Sequence, residues 1–407
     1  MKAHERFLKY VTYDTTSDGT KKTCPSTEGQ LVLSKDIADE MKALGISDAH
    51  MDEHGYVYGH IPASEGCEAY DPIGFIAHVD TSDAVSGKAI KARIVKDYDG
   101  GDILLNSELN LVLSPVQYQE ILKYKGHDLI VTDGTTLLGA DDKAGVAEIM
   151  TCAEMLLQDK TKKHGKICIG FTPDEEIGRG ADLFDIKKFG ASYAYTVDGG
   201  PLGDVEYENF NAAGANVKIN GLSVHPGGAK NVMKNAILIA YEFNALLPAC
   251  ETPSHTEGRE GFYHLCEIRG NEELTTLHYI LRDHDSNKLD AKKTRMHLAS
   301  DYINRIYGAG TVDLSIHDSY RNMGEMLKPN MYIVERANRA YAAFGYTPTS
   351  HAIRGGTDGA RLSYMGLLCP NIATGGHNAH GRFEYASINE MEKMASILVY
   401  MACDISR

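Results

Sequence analysis

No stretch of this 407-residue chain is apolar enough to span a bilayer, and no run of lysine or arginine has the density that grips nucleic acid. The formal net charge of -15 points the same way, because an acidic chain is repelled by phosphate backbones and anionic lipid, although charge says nothing about fold. Cysteines are few and scattered: eight in all, with no Cys-x-x-Cys pair. Nothing therefore suggests a thiolate zinc site or a disulfide framework. The opening residues, Met-Lys-Ala-His-Glu-Arg-Phe-Leu-Lys-Tyr, are charged throughout and lack the apolar core of a signal peptide. Internal repeats and low-complexity linkers are also missing. A reducing cytoplasm is the location these absences lead us to expect.

What is present is an alternation of short apolar runs and helical periodicities. The length allows roughly two or three domains of about 150 residues. Thr27 and Gln30 have the spacing of a capping box, ahead of a helix whose apolar positions are Leu33, Ile37, Met41 and Leu44. Runs at 73–79, 166–172 and 192–197 read as buried parallel strands, and 144–157 as a helix packed on them. This is α/β patterning: a central mixed, mostly parallel sheet with helices on both faces. After residue 211 the order becomes strand 215–219, helix 231–247, strands 261–268 and 274–283, helix 289–306 and strand 312–317. That β-α-β-β-α-β order is the ferredoxin-like split motif, here expected as an inserted α+β domain. The expected organisation is a first catalytic segment at 1–211, an inserted lid or dimerisation-type domain at 212–322, and a second catalytic segment at 323–407. Ser387 and Glu390 would cap a last helix.

Five ligand-type residues fall at the ends of these elements. His78 lies in Phe-Ile-Ala-His-Val-Asp at 75–80 and Asp141 in Thr-Leu-Leu-Gly-Ala-Asp-Asp-Lys-Ala-Gly at 136–145. Glu176 lies in Thr-Pro-Asp-Glu-Glu-Ile-Gly at 172–178, Asp198 in Val-Asp-Gly-Gly at 197–200, and His380 in His-Asn-Ala-His-Gly at 377–381. Imidazole and carboxylate are donors that zinc accepts. Ligand sites of open α/β sheets form beyond the carboxyl ends of the strands, so residues distant in sequence would meet on one edge. Five ligands serve two metals if one carboxylate bridges them. Asp141 is the natural bridge, since His78 with Asp198, and Glu176 with His380, then give each ion one nitrogen and one oxygen. Glu175, beside a ligand yet free of the metals, is available to handle a proton. Asp142 and Lys143 are read as structural.

These motifs resemble those of the dizinc aminopeptidase, carboxypeptidase and deacylase family. Longer runs, at 132–145, 208–213, 260–265 and 354–359, resemble its tripeptidase branch over essentially the whole chain. The resemblance implies two Zn2+ per chain on the five ligands named, and hydrolysis of tripeptides from the N-terminus by a zinc-bridging hydroxide with Glu175 as general base. It further implies a cis peptide bond at Asp141–Asp142, an oxyanion-stabilising role for His225 in Gly-Leu-Ser-Val-His-Pro-Gly, and small peptides as substrates. It leaves open a homodimer through the inserted domain. Asp80 can accept the ring N–H of His78 that a metal does not use. Asn235 lies close to His225 as a substrate-binding candidate. Arg282 and Arg354 are candidate clamps for a peptide carboxylate, because guanidinium pairs bidentately with carboxylates. Where the branch usually carries an aromatic in Gly-Gly-x-Asn-x-His, this chain has His377 and Ala379, and His377 reads as a rim histidine and not a sixth ligand. Sister activities on the same scaffold are a dipeptidase, a carboxypeptidase or an N-acyl amino acid deacylase. A non-catalytic peptide-binding homologue would be marked by loss of Glu175 or of a ligand, and neither is lost.

Overall fold

A computed structural model describes residues 1–405. The chain divides into two compact units: Met1–Tyr207 with Glu325–His351 and Thr357–Arg407, and Glu208–Gly324 with Ala352–Gly356. Among the described residues no helix is long and apolar enough to cross a membrane.

The first unit is organised by a seven-stranded mixed sheet, and the mostly parallel arrangement expected is what the chain adopts. Four parallel strands form its centre, in the order Ile167–Thr172, Ile73–His78, Tyr193–Gly199 and Asn371–Ala373. Antiparallel strands close both sides, Val57–Ile61 followed by His50–Met51 on one and Val205–Glu206 on the other. The two strands Ile73–His78 and Ile167–Thr172 are buried along their whole length, as near-continuous apolar runs covered on both faces must be. The helix Ala140–Gln158 packs on this sheet so closely that a Cβ on Gly145 would stand 1.9 Å from the Val197 carbonyl oxygen. Only glycine fits there.

The second unit is a four-stranded antiparallel sheet in the order Phe262–Gly270, Leu274–Asp283, Asn211–Asn220 and Val312–Tyr320. The helices Ala236–Ala245 and Ser286–Tyr307 supply Ile239, Phe243, Met296 and Ile303 to a core shared with Val217, Leu277, Tyr279 and Leu281.

Several local expectations need correction. Thr27 stands at the N-cap of the helix Glu28–Leu44 but makes no capping bond to the backbone. Gln30 turns inward instead, donating to Asp174 Oδ1 at 2.7 Å while its own Oε1 accepts from the Asp174 N–H at 3.0 Å. The helix expected over 231–247 begins at Ala236, with Asn235 as its cap. The segment Ala352–Gly356, which contains Arg354, groups with the second unit and not with the returning catalytic segment. Short strands at Arg93–Val95, Ile103–Asn106, Leu111–Leu113 and Leu129–Val131 were not expected at all.

One buried group makes the first unit's stability pH-dependent. Glu148, inside the helix Ala140–Gln158, is fully buried, and neither carboxyl oxygen has a hydrogen-bond partner among the described residues. Burial, together with the charges of Asp142, Glu390 and Glu392, pushes its pKa well above the ordinary value. The folded chain therefore holds this proton more tightly than the unfolded chain. The corresponding stability is complete below about pH 4.3, the unfolded value, and is lost as pH rises through the folded pKa. Glu148→Gln should melt like the parent near pH 4.5 and increasingly above it toward pH 8, gaining up to about 1.4 kcal/mol per pH unit crossed. Melting curves of the two proteins that stay parallel from pH 4.5 to 8 would contradict this.

Candidate metal centre

The five ligand-type side chains meet at the carboxyl end of the parallel sheet. His78 is the last residue of its strand. Glu175 and Glu176 form a single 3-10 turn just past the strand Ile167–Thr172. Asp198 was expected beyond its strand, but lies within Tyr193–Gly199. Ile372 pairs with Val197 and Ala373 with Gly199, so Asp198 is the extra residue of a bulge, a device that re-aims one side chain without ending the ladder. Asp141 stands in a kink at the start of the helix Ala140–Gln158, with φ -85° and ψ 101°, and the Asp141–Asp142 peptide bond is cis. His380, with a positive φ of 60°, comes from the returning segment.

These residues form two groups that share Asp141: His78, Asp141 and Asp198 in one, Asp141, Glu176 and His380 in the other. Asp141 Oδ1 is 2.9 Å from His78 Nε2, and Asp141 Oδ2 is 3.0 Å from His380 Nε2. Each group is completed by a second carboxylate, Asp198 Oδ1 at 3.4 Å from His78 Nε2 and Glu176 Oε2 at 2.8 Å from His380 Nε2. Donor atoms bonded to one zinc at about 2.0–2.2 Å lie no more than about 4.4 Å apart, and the imidazole–carboxylate distances in each group fall inside that limit. Glu176 Oε1 is buried with no hydrogen-bond partner, an acceptor left for a cation. The residues fit a pair of divalent metals bridged by one carboxylate.

Electrostatics agree with that fit. Burial pulls His78 toward its neutral form, but Asp198, Asp141 and Asp80 around it prevail and hold it well above its usual value. Hydrogen bonds to Asp141 and Glu176 raise His380 to about 11. Burial raises Asp198 to about 7, helped by the charges of Asp141 and Glu176. Such a cluster of acids calls for positive charge. Glu175 belongs to neither group. Burial, then the charges of Asp198, Asp358 and Glu176, push its carboxyl well above the ordinary range.

Supporting contacts hold the ligands in place. His78 Nδ1 lies 3.1 Å from the Asp80 carbonyl oxygen and 3.3 Å from Asp80 Oδ1. The fully buried Asp80 carboxylate also accepts from the N–H groups of Glu175 at 3.0 Å and Glu176 at 3.1 Å, so one side chain touches both His78 and the Glu175–Glu176 turn. Asp142 accepts from the His78 and Gly145 N–H groups, and Lys143 Nζ donates to the Tyr13 carbonyl at 2.8 Å. His377 is not in either ligand group: its ring lies between Tyr124 and Tyr385, with centroids 4.5 and 4.8 Å away, in a niche that suits an aromatic residue.

Two buried acids escaped the sequence reading. Asp174 accepts from Ser26 and Gln30 and so anchors the turn that carries Glu175 and Glu176. Glu384 accepts from four consecutive backbone N–H groups, those of Leu138 to Asp141. Neither has a local signature, since their partners lie 144 or more residues away.

The other candidates belong to the second unit. His225 is exposed, and its Nδ1 accepts from the Gly227 N–H at 3.1 Å, which leaves the proton of the neutral ring on Nε2. Asn235 Oδ1 caps the helix Ala236–Ala245 through the N–H groups of Ile237 and Leu238. Arg282 Nη1 donates to the carbonyls of Leu281 and Ala213, with its guanidinium over the Tyr320 ring. Arg354 donates to the carbonyls of Thr256, Gly258 and Glu260 and stacks over Phe210, so its guanidinium braces the 256–260 loop.

A cavity of about 290 Å³ opens beside the ligands, lined by Asp141, Asp142, Asp198, Thr374, His377 and Glu384 among others. A larger cleft of about 400 Å³ lies at the opposite ends of the same strands, against Ile73 and Tyr193, and contains neither ligand group. Chemistry, not size, locates the site.

A family model described as Peptidase family M20/M25/M40 matches residues 127–404. The Peptidase T of Halothermothrix orenii is 52% identical over 398 residues, covering 98% of this chain and 97% of the relative. That of Desulfitobacterium hafniense strain Y51 is 54% identical over 395 residues, 97% of this chain and 96% of the relative. Among solved structures, aminopeptidase PepT from Bacillus cereus aligns with a TM-score of 0.79 at 25% identity, covering 100% of this chain and 98% of that one. Half-identity sustained from end to end, on a fold with the same course, means that the chain belongs to Peptidase family M20/M25/M40.

Proposed function

We propose that this peptidase is a dizinc aminopeptidase that releases the N-terminal residue of tripeptides. The observation that carries the reading is the shared carboxylate of Asp141 between two imidazole–carboxylate groups, with Glu175 beside them and bound to neither. Imidazole and carboxylate donors suit zinc, and two such ions held there would supply the Lewis acidity that lowers the pKa of a water from 15.7 toward roughly 7. Glu175 takes the proton of the attacking water and passes it to the leaving amine, the duty for which a raised carboxyl pKa is matched. Asp80 fixes the ring of His78. His225, with its proton on Nε2, is the donor for the developing oxyanion.

The substrate class is supported by likeness to known proteins. Relatives half-identical over the full length carry the name Peptidase T. For the far end of the peptide, Arg282 and Asn235 remain our candidates. Arg354 is the weaker one, because its donors already hold the 256–260 loop. A cytoplasmic location and a homodimer through the second unit complete the reading.

Chromatographic assays of alanine di-, tri- and tetrapeptides, free and N-acetylated, test the substrate class. The tripeptide should yield free alanine and dialanine, and its acetylated form should be inert. Preference for acetylated substrates would instead favour a deacylase, and release from the C-terminus a carboxypeptidase.

A pair of variants separates the roles of neighbouring acids. Glu175→Ala should keep two zinc ions and lose turnover by roughly 10²–10⁴-fold, the usual span of general acid–base catalysis. Asp141→Ala should lose both ions, and His78→Ala chiefly one. Elemental analysis and single-turnover kinetics read both properties, and near-parental turnover in Glu175→Ala would remove it from the mechanism.

A further inference from the structure

The turn that presents Asp141 joins the backbone ladder through its Gly139 carbonyl, which accepts from the Lys143 N–H at 3.3 Å. The N–H groups of Leu138, Gly139, Ala140 and Asp141 point instead at one side chain: Glu384 Oε2 accepts from Leu138 at 2.6 Å and Gly139 at 2.8 Å, and Oε1 from Ala140 at 2.7 Å and Asp141 at 3.2 Å. Regular helical geometry begins only after Asp142, and Gly139, at φ 77°, bends the chain so that these amides converge. Leu138, Ala140 and Glu384 are buried, so water cannot take over the four donors. Glu384 stands four residues beyond His380. The loop between them is closed by Asn378 Nδ2 donating to the Phe383 carbonyl at 3.1 Å and by the Glu384 N–H to Gly381.

We propose that Glu384 is the positioning residue of the metal pair: it pre-forms the 138–141 turn and ties it to the His380 loop, so that both half-sites are set before any ion arrives. A single carboxylate then governs the shared ligand and the ligand of the second site together. Glutamine cannot replace it. Whichever way the amide is turned, two of the four backbone donors face an NH2 group, itself a donor. The inference rests on reading Asp141 and His380 as metal ligands.

Two measurements test it. In the metal-free parent protein, hydrogen exchange of a peptide spanning 137–142 should be as slow as that of the neighbouring strand Leu129–Val131. Exchange at the rate of an open loop would show that the turn is not preset and would overturn the proposal, whatever the metals do. Zinc titration against a competing chelator should show Glu384→Gln and Glu384→Asp weakened about 10- to 100-fold at both sites, the range found when groups supporting metal ligands are removed. Ile397→Ala, a fully buried truncation in the last helix, controls for general loss of stability and should keep parental affinity. Parental affinity in a folded Glu384 variant would refute the positioning role. Failure of the parent itself to bind two ions would instead overturn the metal-centre reading.

Discussion

One carboxylate has to face two imidazoles at once. Asp141 presents Oδ1 to His78 and Oδ2 to His380, and everything else in the first unit is consistent with that demand. The parallel strands deliver His78, Asp198 and the Glu175–Glu176 turn to a common edge, while the returning segment brings His380 from the far end of the sequence. Buried acids brace three of these places: Asp80 lies against His78, Asp174 holds the glutamate turn, and Glu384 accepts from the Asp141 N–H. Buried acids this close are costly without positive charge, which a pair of cations would supply.

The division of labour between adjacent residues follows from small differences in direction. Glu176 reaches His380, whereas Glu175 stays outside both groups, its carboxyl pushed well above the ordinary range by burial and then by the neighbouring acids. Asp141 and Asp142 are joined by a cis bond, and only Asp141 joins the ligand groups, while Asp142 accepts backbone N–H groups. Neighbours in sequence are therefore not interchangeable in function.

Much of this was legible in the sequence because the buried strands are continuous apolar runs and the ligands stand at their ends. Ile73–His78 and Ile167–Thr172 could be placed within a residue or so for that reason. Asp198 was set one step too far out, because the apolar run stops at Val197 while the bulged ladder continues to Gly199. The small sheet containing Arg93–Val95 and Leu129–Val131 was invisible, since strands of three residues carry no usable periodicity. Gln30 looked like half of a capping box, but its partner Asp174 lies 144 residues away. Glu384 was missed on the same grounds, and Arg354 was assigned to the wrong unit because nothing local reveals that its loop pairs with 256–260. Long-range pairing of polar side chains is what a single sequence conceals.

The claim that Asp141 is shared by two ions is tested most directly by X-ray absorption on the zinc-loaded protein. The account predicts ligation by nitrogen and oxygen alone and a metal–metal vector at about 3.5–4 Å, the separation of carboxylate-bridged pairs. A single ion per chain, or two ions without metal–metal scattering, would contradict it.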